Sequence, residues 1–90
     1  MTDFDNPPPL DYPALFTWRI VGQGDDALRA HARASVEAVL GPVADDAITE
    51  RQSSAGNYRA VHVTCLMHSE QQRRDIYEKL RASPLVVLVL

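Results

Sequence analysis

One cysteine, four glycines and six aromatic side chains are all that this 90-residue chain holds of those types. A single cysteine, Cys65, excludes an internal disulfide and fits a reducing compartment. With so few aromatics, a base-stacking surface would need nearly all of them on one face. A basic excess is also missing, since the formal net charge is −3. Asp3, Asp5 and Asp11 lie in the first dozen residues, which hold no Lys or Arg. Without those three, the remaining nine acids balance the nine Lys and Arg. Nucleic-acid binding normally rests on a cationic excess that neutralises phosphates, so nucleic acid is not an expected partner. The longest apolar run, residues 85–90, is far short of a membrane span, so no membrane association is expected. The acidic, proline-rich start has neither a basic n-region nor an apolar h-region, and a cytoplasmic location is expected.

What remains is the composition of an ordinary globular protein, 46% hydrophobic and 23% charged. Ninety residues make one domain with a thin core, burying about 60–65% of the surface exposed by the unfolded chain. Residues 1–14 read as a flexible tail, with Pro7, Pro8 and Pro9 favouring polyproline II geometry. The domain proper is expected over residues 15–90. A first strand over 15–21 alternates Phe16, Trp18 and Ile20 with Thr17, Arg19 and Val21, and Gly22-Gln23-Gly24 is expected to break it. Asp25 is a candidate N-cap for a helix over 26–40, whose apolar stripe is Leu28, Ala32, Val36, Val39 and Leu40. Gly41-Pro42 stops that helix.

A polar, weakly patterned strand over 47–52 suits a sheet edge. The turn Ser53-Ser54-Ala55-Gly56-Asn57 then leads into a third strand over 58–67. Val61, Val63, Cys65 and Met67 take one face of that strand, and Tyr58, Ala60, His62, Thr64 and Leu66 take the other. Ser69 and Gln72 form a capping box for a second helix reaching about Ala82, with Ile76, Tyr77 and Leu80 expected inward. Residues 85–90 make a last strand after Pro84. The order βαββαβ and right-handed crossovers predict an α+β, ferredoxin-like sandwich: a four-stranded antiparallel sheet with both helices on one face and the other face open.

Three segments carry a family likeness: Phe16-Thr17-Trp18-Arg19-Ile20-Val21-Gly22-Gln23, Ser53-Ser54-Ala55-Gly56-Asn57-Tyr58, and Ile76-Tyr77-Glu78-Lys79-Leu80 with the strand that follows. On these the chain resembles the YbeD-like family of small bacterial proteins of unknown function. The resemblance implies a fold similar to the ACT regulatory domain. It brings no reaction and no catalytic residues.

The candidate sites are few. Gly22, Gln23 and Gly24 precede a helix N-terminus whose exposed N–H groups suit a carboxylate or other anion. The ACT-like resemblance implies a small-molecule ligand near that loop. The plainer reading is a tight turn that needs glycine, and Asp25 and Asp26 oppose a bound anion. His31, His62, His68 and Cys65 lack zinc-type spacing, so no metal and no cofactor is expected. Along its strand Cys65 points away from His62 and His68 and alternates with valines, the pattern of an inert core thiol rather than a nucleophile. Gly56-Asn57-Tyr58-Arg59-Ala60-Val61 is similar to a strand motif of RNA-recognition domains, but Thr17, Arg19 and Val21 supply no companion aromatics.

The remaining candidate is a surface. Arg19, Tyr58, His62 and Thr64 on the open face, with Val87 and Val89 of the last strand, are expected to meet a partner. A homodimer or another protein fits that role. No enzyme activity is expected, because no acid–base or nucleophile set appears. The expected function is a small regulatory or binding module. It is either a ligand sensor of the ACT-like kind or an interaction module working through the open sheet and last strand, with RNA binding as a minor alternative.

Overall fold

The computed structural model describes residues 11–23, 26–52 and 56–90. Its elements are β1 (Ala14–Gln23), α1 (Asp26–Leu40), β2 (Ile48–Gln52), β3 (Tyr58–Met67), α2 (Glu70–Arg81) and β4 (Val86–Val89). The strands form one antiparallel sheet in the order β2-β3-β1-β4, the ferredoxin-like arrangement. The two long strands sit at its centre and pair over ten residues, from Ala14 opposite Met67 to Gln23 opposite Tyr58.

The core follows from two periodicities. Every second residue of the central strands, Trp18, Ile20, Val61, Val63 and Met67, faces the helices and is buried. Leu28, Ala32 and Val36 come down from α1 at helical spacing, and Ile76 and Leu80 from α2. Fully burying side chains of this size contributes about 1.5–3 kcal/mol each. Phe16 flanks Trp18 with ring centroids 4.9 Å apart. Among the described residues the buried Trp18 Nε1 has no nitrogen or oxygen partner, and the Cys65 sulfur is the polar group it acts on.

Helix α1 has the bounds its sequence predicts. Gly41 ends it at φ +89°, a left-handed angle that glycine adopts without a Cβ penalty. The following turn is pinned by Glu37, whose Oε2 accepts from the Val43 backbone N–H at 2.9 Å and from Arg33 Nε at 3.3 Å. Arg33 also donates to the Val43 carbonyl at 2.6 Å and pairs with Asp45. The Val43 N–H, then Arg33, hold the Glu37 carboxyl below its ordinary range.

Helix α2 starts at Ser69, whose Oγ accepts from the Gln72 N–H at 3.2 Å. Gln72 Oε1 reaches back to the His68 N–H at 2.9 Å, one residue before the cap. Lys79 and Arg81 in the last turn suit the helix dipole.

Three expectations need correction. Glycine at position 22 does not end the first strand, because pairing with β3 continues to Gln23. Tyr77 is exposed rather than inward. It lies one position off the Ile76–Leu80 stripe and stacks under Arg81, whose guanidinium carbon is 5.5 Å from the ring centroid. Ala47 closes a short 3-10 turn instead of opening β2. Residues 1–10 and the candidate cap Asp25 lie outside the described residues. Just after them, Tyr12 donates from its hydroxyl to Glu70 Oε1 at 2.7 Å, so the chain is held against α2 before β1 begins.

Candidate interaction face

The side of the sheet away from the helices carries five rows, fixed by strand register. Gln23 lies opposite Tyr58. Arg51, Ala60, Val21 and Leu88 make the second row across all four strands. Thr49, His62 and Arg19 make the third, completed by Leu90, whose N–H donates to the Arg19 carbonyl at 2.8 Å. Thr17 and Thr64 face each other with their hydroxyl oxygens 3.0 Å apart. Leu15 opposite Leu66 ends the face. Along the two central strands, apolar Leu15/Leu66 and Val21/Ala60 are therefore separated by polar Thr17/Thr64 and Arg19/His62, with Leu90 closing the Arg19 row at the β4 edge. Leu15 is 74% exposed, and Leu66, Leu88 and Leu90 are exposed as well.

The charge on this face has one sign. Its described charged side chains are Arg19 and Arg51, with no Asp or Glu side chain on the face. On the helix side five arginines are paired with carboxylates, whereas Lys79 and Arg81 of α2 have none among the described residues. Arg29 pairs with Glu50 at 2.8 Å, Arg59 with Glu50 at 3.0 Å and with Asp26 at 3.3 Å. Arg33 pairs with Glu37 and Asp45, and Arg73 and Arg74 with Glu70. Among the described residues, Arg19 and Arg51 have no such carboxylate. A shallow recess of about 170 Å³ lies at the hairpin end, lined by Val21, Arg51, Gln52, Tyr58, Arg59 and Ala60. A second groove of about 310 Å³ runs between Tyr77 and Arg81 of α2 and the β4 residues 86–89.

The glycine loop is built differently from a ligand cradle. Gly22 is buried, and a Cβ placed on it would lie 2.2 Å from the Leu85 carbonyl oxygen and 2.9 Å from Leu28 Cδ1. The Gln23 N–H is taken up by the Leu85 carbonyl at 3.1 Å. Glycine is needed at position 22 so that the chain entering β4 can approach. Gly24 lies outside the described residues.

Of the surface residues predicted from sequence, Arg19, Tyr58, His62 and Thr64 do share the open face. Val87 is 59% exposed at the sheet edge. Val89 does not join them, since it pairs with Ile20 and packs against the core. The cause is a register shift between Val21 and Gly22, which makes Val87 an extra residue and gives the outward position to Leu88. Sequence reasoning also passed over Leu15, Leu88, Leu90 and Arg51 as members of the face. Leu15 was legible in the same alternation that assigned Thr17 and Arg19. Leu88 was hidden by the bulge, and Arg51 by the weak patterning of β2.

The histidines and Cys65 are scattered. His68 is exposed, whereas His31, expected at the surface, is half-buried and donates from Nε2 to the Leu80 carbonyl at 2.9 Å. Burial pushes the Cys65 thiol up, and it donates to Met67 Sδ at 3.7 Å. Among the described residues no three His, Cys, Asp or Glu side chains cluster as metal ligands would. No described helix is long and apolar enough to cross a membrane.

This geometry defines a ferredoxin-like α+β domain with one face of its sheet uncovered by helices. A family model described as "Protein of unknown function (DUF493)" matches residues 7–90, and the chain belongs to that family. A UPF0250 protein of Shewanella loihica is 35% identical over 81 residues, covering 90% of each chain. One from Chromobacterium violaceum is 30% identical over 81 residues, covering 90% of this chain and 91% of its own. The solution structure of the H. pylori protein HP0495 superimposes with a TM-score of 0.72 over 100% of this chain and 94% of that one. At 19% identity that likeness shows the fold. The YbeD-like resemblance and the ferredoxin-like sandwich read from the sequence are both borne out.

Proposed function

We propose that this chain is a small non-catalytic interaction module that receives a protein partner on its open sheet face. The observation that carries the reading is the exposure of Leu15, Leu66, Leu88 and Leu90 on one side of a sheet whose other side is fully packed. Single exposed apolar residues are ordinary, whereas four on one sheet face fit a docking surface. The alternative, a small-molecule sensor built on the Gly22–Gly24 loop, loses support because Gln23 N–H and the space beside Gly22 are used by Leu85.

A different protein is favoured over a second copy packed face to face. Such a dimer would bring Arg19 and Arg51 against their own duplicates, and like charges across an interface are costly. The edge of β4 remains a separate route to a homodimer.

Site-specific photo-crosslinking in cells tests the reading. A crosslinker at Thr64 or Leu88 is expected to capture one defined protein, and a crosslinker at Glu78 on α2 is not. Equal capture from both sides would defeat the proposal. Light scattering separates the homodimer, and a melting temperature raised by amino acids or common metabolites would revive the sensor reading.

A further inference from the structure

Resting on that reading of the open face, we infer that its occupant is an acidic amphipathic helix of a partner protein. Three features of the face select it.

The first is charge. Arg19 and Arg51 are the described charged side chains on the face, and neither has a carboxylate among the described residues. Elsewhere, Arg29, Arg33, Arg59, Arg73 and Arg74 each have a carboxylate within 4 Å. Among the described residues Lys79 and Arg81 of α2 also lack a carboxylate, but Arg81 lies over the Tyr77 ring and that helix carries Asp75 and Glu78 as well, whereas the open face offers cations alone, which a negatively charged partner completes.

The second is the order of the rows. Leu15 and Leu66 lie at one end, Val21, Ala60 and Leu88 toward the other, with Thr17, Thr64, Arg19 and His62 between and Leu90 at the β4 edge of the Arg19 row. Leu15 and Val21 are six residues apart on one strand, which is about 20 Å at 3.3 Å per residue. A helix of about 14 residues covers that length, and its diameter of about 10–12 Å fits within the width of the sheet. The matching helix has apolar side chains near its ends and Asp or Glu between them.

The third is backbone chemistry. Hydrogen-bonding groups of a sheet point along its plane, so its face offers none to an extended chain. A segment docked on the face must satisfy its own N–H and C=O groups, and a helix does so internally. RNA is the other acidic class. It is disfavoured because Tyr58 is the sole aromatic on the described face, and stacking carries much of single-strand affinity.

The test uses the full chain, isotope-labelled for NMR, and four measurements with three probes. One is a synthetic helical peptide of about 15 residues with leucines at both ends and glutamates between. The second replaces those glutamates with lysines. The third is a single-stranded RNA oligonucleotide. The fourth measurement repeats the glutamate peptide on an Asp3→Asn/Asp5→Asn variant.

The glutamate peptide is expected to perturb the amides of Arg19, Ala60, His62, Thr64 and Leu88, to bind at least about tenfold more tightly than the lysine peptide, and to weaken with added salt. Arg19→Glu/Arg51→Glu changes two exposed side chains and is expected to reverse the preference between the peptides while leaving the fold's amide spectrum dispersed. Equal binding of the two peptides, perturbations on α1 and α2, or tighter binding of the oligonucleotide would each overturn the inference. Binding that appears only in the Asp3→Asn/Asp5→Asn variant would overturn it in favour of the chain's own acidic start as occupant. If the peptides fail while crosslinking from Thr64 still captures a protein, the helix is wrong and the interaction face stands.

Discussion

The two sides of this sheet are made by the same strands and treated by opposite rules. On one side Trp18, Ile20, Val61, Val63 and Met67 are almost wholly buried beneath two helices. On the other, one residue away along each strand, Leu15, Leu66 and Leu88 meet solvent. Charge divides the same way. Five helix-side arginines are tied to Glu37, Glu50 and Glu70 and a sixth, Arg81, lies over the Tyr77 ring, while Arg19 and Arg51 stand without carboxylates among the described residues. A side chain that packs or pairs within the chain is explained by stability. One that does neither is better explained by something outside the chain.

That division is open to direct attack, most severely in the core. Trp18→Ala is expected to cost about 3–5 kcal/mol in chemical denaturation, while Arg19→Ala, the next residue, should stay within about 0.5 kcal/mol. Similar losses at both positions would break the contrast. Gly22→Ala forces a Cβ against the Leu85 carbonyl and is expected to cost about 1–3 kcal/mol, with hydrogen exchange at Leu88 and Leu90 accelerating first. Ser69→Ala removes the α2 cap and should cost about 1 kcal/mol.

Acid sharpens the charge half of the comparison. Arg73, then the Tyr12 hydroxyl, hold the Glu70 carboxyl down to about 2 from an ordinary 4.5. Because the folded value is the lower one, this contribution is fully present above pH 4.5 and disappears as pH falls toward 2. Glu70→Gln is expected to flatten that part of the stability profile, whereas Arg19→Ala should leave it unchanged. The smallest effect on stability is expected on the open side: Leu66→Thr should move the midpoint little and yet reduce crosslinked partner.

Much of this was legible from residues alone. Gly41-Pro42 marked the end of α1, Ser69 and Gln72 the start of α2, and the alternation from Tyr58 to Met67 gave β3 and both its faces. Local chemistry decided each of those. The errors fall where a distant segment intervened. Gly22 looked like a strand breaker because its companion, Leu85, lies 63 positions later in the chain. Val89 was placed outward because a simple alternation cannot foresee a bulge on a neighbouring strand. His31 looked like a surface residue because its acceptor is a carbonyl at the far end of α2. For the face itself, the strand patterns supplied the members, but only the register brought Arg51, Ala60, Val21 and Leu88 into one row.

The register shift beside Gly22 has a bearing on solubility. A short edge of valine and leucine is the kind of template on which further chains stack into fibrils. The extra residue at Val87 bends that edge and breaks its ladder between Val86 and Leu88. An arriving strand would find no long, flat run to zip along. The same kink that turns Leu88 toward the open face thus works as a safeguard against runaway self-assembly.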